Sequence, residues 1–120
     1  MALHNELGKE GEQLAIQWLK GKGYEILHLN WRHSWYELDI VAKKGERLHV
    51  VEVKARKGNF FGNPEDGVTK RKFKRLQKAV DEFLFLNPGY KWLQYDVLAI
   101  TMHRDKETEY FLLEDVFFVK

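Results

Sequence analysis

Apolar and polar positions alternate along this chain with two different periods. Over residues 5–21, Leu7, Gly11, Leu14, Ala15 and Trp18 recur at helical spacing and define one buried stripe. Asn5 is placed to cap that helix, and Gly21 and Gly23 mark its exit. Gly8 and Gly11 each cost a helix interior about 1 kcal/mol relative to Ala. Close approach of another backbone, that of the following hairpin, is the expected compensation. Residues 24–30 read as a strand, followed by an aromatic, polar loop over 31–35. The runs 37–42 and 48–54 are rich in β-branched residues and flank a polar turn containing Gly45, the pattern of a β-hairpin. Residues 57–69 form a turn-rich loop that Phe60 and Phe61 anchor. Helical spacing returns over 69–86, with Thr69 as N-cap and Phe73, Leu76, Val80, Phe83 and Leu84 facing inward. Asn87-Pro88-Gly89 ends it. Two further strands, 91–102 and 109–119, are joined by a charged turn around Arg104-Asp105-Lys106. This order predicts an α/β fold, with a mixed central sheet flanked by helices in a single domain over residues 1–120.

The hairpin carries the chemistry. With an even-membered turn centred on Lys44-Gly45, Glu37 faces Glu52 and Asp39 faces Val50. Period-two alternation then sends Glu37, Asp39, Glu52 and Lys54 to one side, and Leu38, Ile40, Val51 and Val53 to the other. A three-residue turn would separate Asp39 from Glu52. Three carboxylates on one face of an apolar hairpin repel one another and lose solvation, unless a cation neutralises them. Hard carboxylate oxygens suit Mg²⁺ or Mn²⁺. The competing reading is a solvated strand face on which Lys54 pairs with Glu52 or Glu37. His49 falls on the side away from the carboxylates and nothing orients His33, so both are bystanders.

Charge distribution sharpens the picture more than the net charge of +2 does. The second helix opens with Lys70, Arg71, Lys72, Lys74, Arg75 and Lys78. Cations there oppose the helix dipole, yet together with the free N–H groups they favour an anion. Arg71, Lys74, Arg75 and Lys78 share a face suited to a phosphate backbone, while Lys72 lies at the core edge near Leu76 and points elsewhere. The alternative is a merely solubilising face. Arg32 is placed to contact a phosphate, and an exposed Trp31 or Trp35 to stack on an unpaired base. Glu12 lies at the edge of the first helix's apolar stripe, within reach of a site beneath it, or is an ordinary surface Glu. With 44% apolar and 14% aromatic residues the chain has a core's worth of hydrophobic side chains. No cysteine is present, which excludes disulfides and thiolate metal sites and suits a cytoplasmic protein. No apolar run approaches the length of a membrane span.

Asp39 followed thirteen residues later by Glu52-Val53-Lys54 resembles the D…(D/E)-x-K core of the PD-(D/E)XK nuclease superfamily. More closely, the chain resembles the YraN-like family of small, uncharacterised bacterial proteins. The resemblance rests on Gly11-Glu12…Ala15, Gly23-Tyr24-Glu25-Ile26-Leu27, Asn30-x-Arg32 and Glu37-Leu38-Asp39-Ile40-Val41-Ala42. It continues through Val51-Glu52-Val53-Lys54-x-Arg56, Val68-Thr69-x-x-Lys72 and Tyr95-Asp96-Val97. Similar elements occur in archaeal Holliday-junction resolvases. Two positions depart: Tyr36 stands where the family has Gly, and Leu38 where the superfamily often has Pro. The resemblance implies a restriction-endonuclease-like fold and a metal-dependent endonuclease cutting nucleic acid, branched DNA being one candidate. It further implies Asp39, Glu52 and Glu12 as metal ligands, with Glu37 in support and Lys54 orienting water or stabilising charge at phosphorus. Asp96 matches the family pattern without a chemical role. A non-catalytic nucleic-acid-binding module and a homodimeric interaction protein are the alternatives.

Overall fold

The structure, a computed structural model, describes residues 2–34, 36–58, 70–90 and 92–116, with the backbone alone at residues 2–7, 36 and 70. The order is α1 (Ala2–Gly21), β1 (Glu25–His33), β2 (Tyr36–Lys44), β3 (Arg47–Lys57), α2 (Lys70–Leu86), β4 (Gln94–Met102) and β5 (Glu109–Leu113). The five strands form one sheet in sequential order. β1, β2 and β3 are antiparallel neighbours, β3 and β4 run parallel across the α2 crossover, and β5 returns antiparallel. The expected mixed α/β sheet is observed. Expectations placed on Trp35, Phe60, Phe61 and Thr69 lie outside the described residues.

Each helix covers one face of the sheet. Beneath α1, Ala15 and Leu19 pack with Ile40, Ala42, Val51, Leu98 and Ile100. Beneath α2, Phe73, Ala79 and Phe83 pack with Leu38, Val41, Val50, Tyr95 and Val97. Alternation along β2 therefore breaks at Asp39, because Leu38 and Ile40, two residues apart, enter different cores. The prediction that they share a face is corrected. The ladder gives the reason: Leu29 pairs with Ile40 and Trp31 with Leu38, while Asn30 between them takes the left-handed φ of 51°. Asn tolerates that conformation better than most side chains, and the kink re-aims its neighbours.

Several boundaries differ from expectation. α1 begins at Ala2, so Asn5 lies inside the helix rather than at its cap. Residues 31–33 continue β1 instead of forming a loop, because their pairing with β2 extends to His33–Tyr36. Trp31 is half-buried, edge-on to Phe83 at 5.3 Å between ring centroids, and belongs to the core rather than to an exposed stacking surface.

The two helix glycines divide sharply. A Cβ on Gly11 would sit 2.5 Å from Ala55 Cβ and 3.8 Å from its Cα, so α1 approaches β3 as closely as the chain allows. A Cβ on Gly8 would meet nothing within 4 Å. Compensation by close approach thus holds for Gly11 alone. Gly11→Ala should destabilise by about 1–3 kcal/mol through overpacking. Gly8→Ala should stabilise by about 0.5–1 kcal/mol through helix propensity. Urea denaturation of the two variants checks the opposite signs.

Candidate active site

The turn between β2 and β3 is Gly45-Glu46, with Gly45 at φ 63°. It is two residues long, as the parity argument requires, but displaced by one position. Ile40 consequently faces Val51, and Lys44 faces Arg47. The predicted pairings of Glu37 with Glu52 and Asp39 with Val50 are corrected, yet the shift is even, so Asp39 and Glu52 still come together. The β2–β3 ladder stops at Ile40–Val51, while β2 continues its pairing with β1 as far as Tyr36. The two strands separate there, and Asp39 stands at the fork. Its carboxylate fills the missing place in the ladder: Val53 N–H donates to Asp39 Oδ2 at 3.0 Å.

Across the fork, Glu52 is held from two directions. Tyr95 lies beside Val50 in the parallel register, and its side chain reaches along the sheet to donate O–H to Glu52 Oε2 at 2.5 Å. Lys72 Nζ lies 3.2 Å from Oε1. Lys72 thus points into the cluster and away from the face of Arg71, Lys74, Arg75 and Lys78, as its place at the core edge predicts. Leu76 and Phe73 beside it face the α2 core, and the first turn of α2 overhangs the fork. Lys54 follows Glu52 on the same face, beside Lys72.

The electrostatics register the crowding. Burial, with added repulsion from Glu52 and Glu37, pushes the Asp39 carboxyl up to about 6, against the lowering effect of the Val53 N–H and Lys54. Burial and the adjacent Lys72 lower Lys54, only partly offset by Glu52 and Asp39. For Lys72, burial lowers, but pairing with Glu52 and the charge of Asp39 outweigh it, so it is raised. Burial and the charge of Glu52 raise Tyr95 far above its ordinary range, which keeps its hydroxyl a donor.

The other predicted residues sit further out. Glu37 is paired with Arg32, its partner across the β1–β2 ladder, at 3.4 Å, and both are exposed. Glu12 accepts a hydrogen bond from Asn30 Nδ2 at 3.0 Å. It thus reaches the kink opposite Asp39 but is not gathered with Asp39 and Glu52. Arg71, Lys74, Arg75 and Lys78 line one groove along α2, as their helical spacing predicts. Lys70 begins α2, with its side chain outside the described atoms. His49 lies on the opposite face, as expected, and Asp96 gains a structural role. Fully buried, Asp96 accepts from His49 Nδ1, Gln94 Nε2 and Asp115 N, all within 2.9 Å. Sequence reasoning gave Tyr95 no role at the site; its signals were its place in the Tyr95-Asp96-Val97 motif and a polar-tipped aromatic among core residues.

The sequence pattern of the uncharacterised protein family UPF0102 matches residues 11–100. The chain belongs to the UPF0102 family. UPF0102 proteins of Christiangramia forsetii and Flavobacterium psychrophilum are each 42% identical to it over 118 residues, 98% of both chains. One of Phocaeicola vulgatus is 52% identical over 84 residues, covering 70% of this chain and 69% of that protein. The UPF0102 match begins within α1 and ends in β4, so it takes in the fork, Lys72 and Tyr95 alike.

Asp39 and Glu52 are the carboxylates best placed to hold a metal. Among the described residues no group of three or more His, Cys, Asp or Glu is gathered for one. Two carboxylates make too small a set for an all-protein cage. They fit the habit of Mg²⁺, which takes one or two carboxylates and completes its octahedron with water and substrate phosphate.

The raised Asp39 carboxyl has a consequence for stability. A folded-state pKa near 6 lies above the unfolded value, so the fold binds the extra proton between about pH 4 and 6 and loses stability as pH rises through that window. Asp39→Asn keeps an acceptor for Val53 N–H and removes the charge. It should be more stable than the parent by about 2–3 kcal/mol at pH 8, on the order of the shift at 1.36 kcal/mol per pH unit. The difference should vanish near pH 4, and denaturation curves across that range decide it.

Proposed function

We propose that this protein is a divalent-metal-dependent endonuclease of the PD-(D/E)XK kind, with a restriction-endonuclease-like fold, acting on nucleic acid and most naturally on DNA. The observation that carries the reading is the fork: a carboxylate from each hairpin arm, with a lysine two residues beyond the second, in a crowded and partly desolvated cluster beneath a basic helix start. Mg²⁺ or Mn²⁺ held by Asp39 and Glu52 would polarise a phosphoryl oxygen and lower the pKa of bound water. Everything else falls to the chain. Tyr95 fixes the rotamer of Glu52, and the Val53 N–H fixes that of Asp39. Lys54, with its lowered pKa, orients the attacking water or stabilises charge gathering on phosphorus. Arg71, Lys74, Arg75 and Lys78 present a cationic groove for the neighbouring phosphates, and exposed Arg32, paired with Glu37, is a separate candidate contact. Glu12, held by Asn30 on the neighbouring strand, would complete the shell only through a water.

Purified protein incubated with labelled linear and branched DNA and RNA, with and without Mn²⁺, tests the activity. Asp39→Ala and Glu52→Ala should each abolish cleavage while leaving nucleic-acid affinity unchanged or higher. Arg71→Glu combined with Lys74→Glu should weaken binding about tenfold or more and flatten its salt dependence. Cleavage that survives both carboxylate substitutions would reject the mechanism. Binding without cleavage of any substrate in the panel would point to a recognition module instead.

A further inference from the structure

Lys72 stands at the ligand oxygen that a metal would use. Its ammonium is 3.2 Å from Glu52 Oε1, the other oxygen being taken by Tyr95. Each oxygen of one of the two candidate carboxylates therefore already has a partner within the protein. The surrounding charges balance: Asp39, Glu52 and Glu37 are matched by Lys54, Lys72 and Arg32. A divalent ion entering this half-buried site alone would leave two surplus positive charges against two lysines, an arrangement that low local dielectric makes costly. A phosphodiester arriving with the ion supplies the missing negative charge. Of the two lysines, Lys54 is fixed in the middle of β3. Lys72 is on the first turn of α2, on a long side chain 41% exposed, next to the groove where the phosphates would lie.

We propose that Lys72 is a shared counter-ion that sits on Glu52 in the free protein and transfers to a substrate phosphate, so that divalent-metal and nucleic-acid binding are mutually dependent. This rests on the metal-dependent reading above and adds to it an order of assembly. Nucleic acid draws Lys72 away, Glu52 Oε1 becomes available, and the ion binds where ligand, phosphate and water are together. Lys72 is a positioning residue in the free state and a phosphate contact in the loaded one. Coupling of this kind is reciprocal: the factor by which nucleic acid tightens the ion is the factor by which the ion tightens nucleic acid.

Mn²⁺ binding measured by electron paramagnetic resonance, with and without a short phosphorothioate duplex that resists cleavage, reads the coupling directly. The parent protein should bind Mn²⁺ weakly alone and at least about fivefold more tightly with the duplex. Lys72→Met keeps the methylene stem and removes the charge. It should bind Mn²⁺ alone at least about fivefold more tightly than the parent, and gain less from the duplex. Lys72→Arg should keep the coupling. Lys72→Met that binds Mn²⁺ no more tightly than the parent, or that gains as much from the duplex, overturns the proposal. Asp39→Ala separates this from failure of the underlying reading. Mn²⁺ binding that ignores Asp39→Ala removes the metal site and the coupling together, whereas binding that needs Asp39 but ignores Lys72→Met removes the coupling alone.

Discussion

One hydrogen bond holds the site open. Where β2 leaves β3, the Val53 N–H loses its main-chain acceptor, and a partly buried N–H without a partner costs free energy comparable to a lost bond. Asp39 Oδ2 takes the vacant place. The carboxylate is thereby fixed in position, and the strands can diverge without an orphaned donor. The same exchange makes the carboxylate expensive, since it now sits desolvated beside Glu52 and Glu37. The Val53 N–H offsets part of that cost but not all of it. Structural necessity and electrostatic cost thus fall on one side chain.

The rest of the fold divides labour between the two faces of the sheet. On the α1 face the packing is tight and closed: Gly11 lets the helix settle onto Ala55, and Asp96 is buried with its acceptor capacity used by His49, Gln94 and the Asp115 N–H. Arg47 extends that network to the sheet end through Gln94. Among the described residues no buried side-chain polar atom lacks a partner. The α2 face is built differently. Phe73, Phe83 and Tyr95 make its core, but at the helix start apolar packing gives way to Lys72, Glu52 and Lys54. Tyr95 belongs to both regions, with its ring against Phe73 at 5.6 Å between centroids and its hydroxyl on Glu52. That residue links core packing to the geometry of the site.

The segment matched to the UPF0102 family runs from within α1 to within β4 and so takes in both helix-covered faces of the sheet. β5 and the segment after it lie beyond the match, although Val116 N–H still donates to Tyr95 O and ties that segment back to the strand carrying Tyr95. No helix among the described residues is long and apolar enough to cross a membrane. Arg71, Lys74, Arg75 and Lys78 line a cationic groove along α2.

How much of this was legible in advance follows from range. Periodicity and turn chemistry are local, so the helices, the hairpin and the mixed sheet could be read from residue spacing. The grouping of Asp39 with Glu52 could be read as well, because side-chain parity survives an even shift of register. Three features could not be read. The turn's position depended on whether Gly45 came first or last in a two-residue loop, and both fit the same pattern. The kink at Asn30, which sends Leu38 and Ile40 into different cores, arises from pairing with a strand that the residues around Asp39 do not encode. The contact of Lys72 with Glu52 and the reach of Tyr95 depended on where a later helix and a later strand were laid against Glu52. The amino-acid order determined which groups would share a face; packing between distant elements decided which of them would touch, because contact distances are set by the whole assembly.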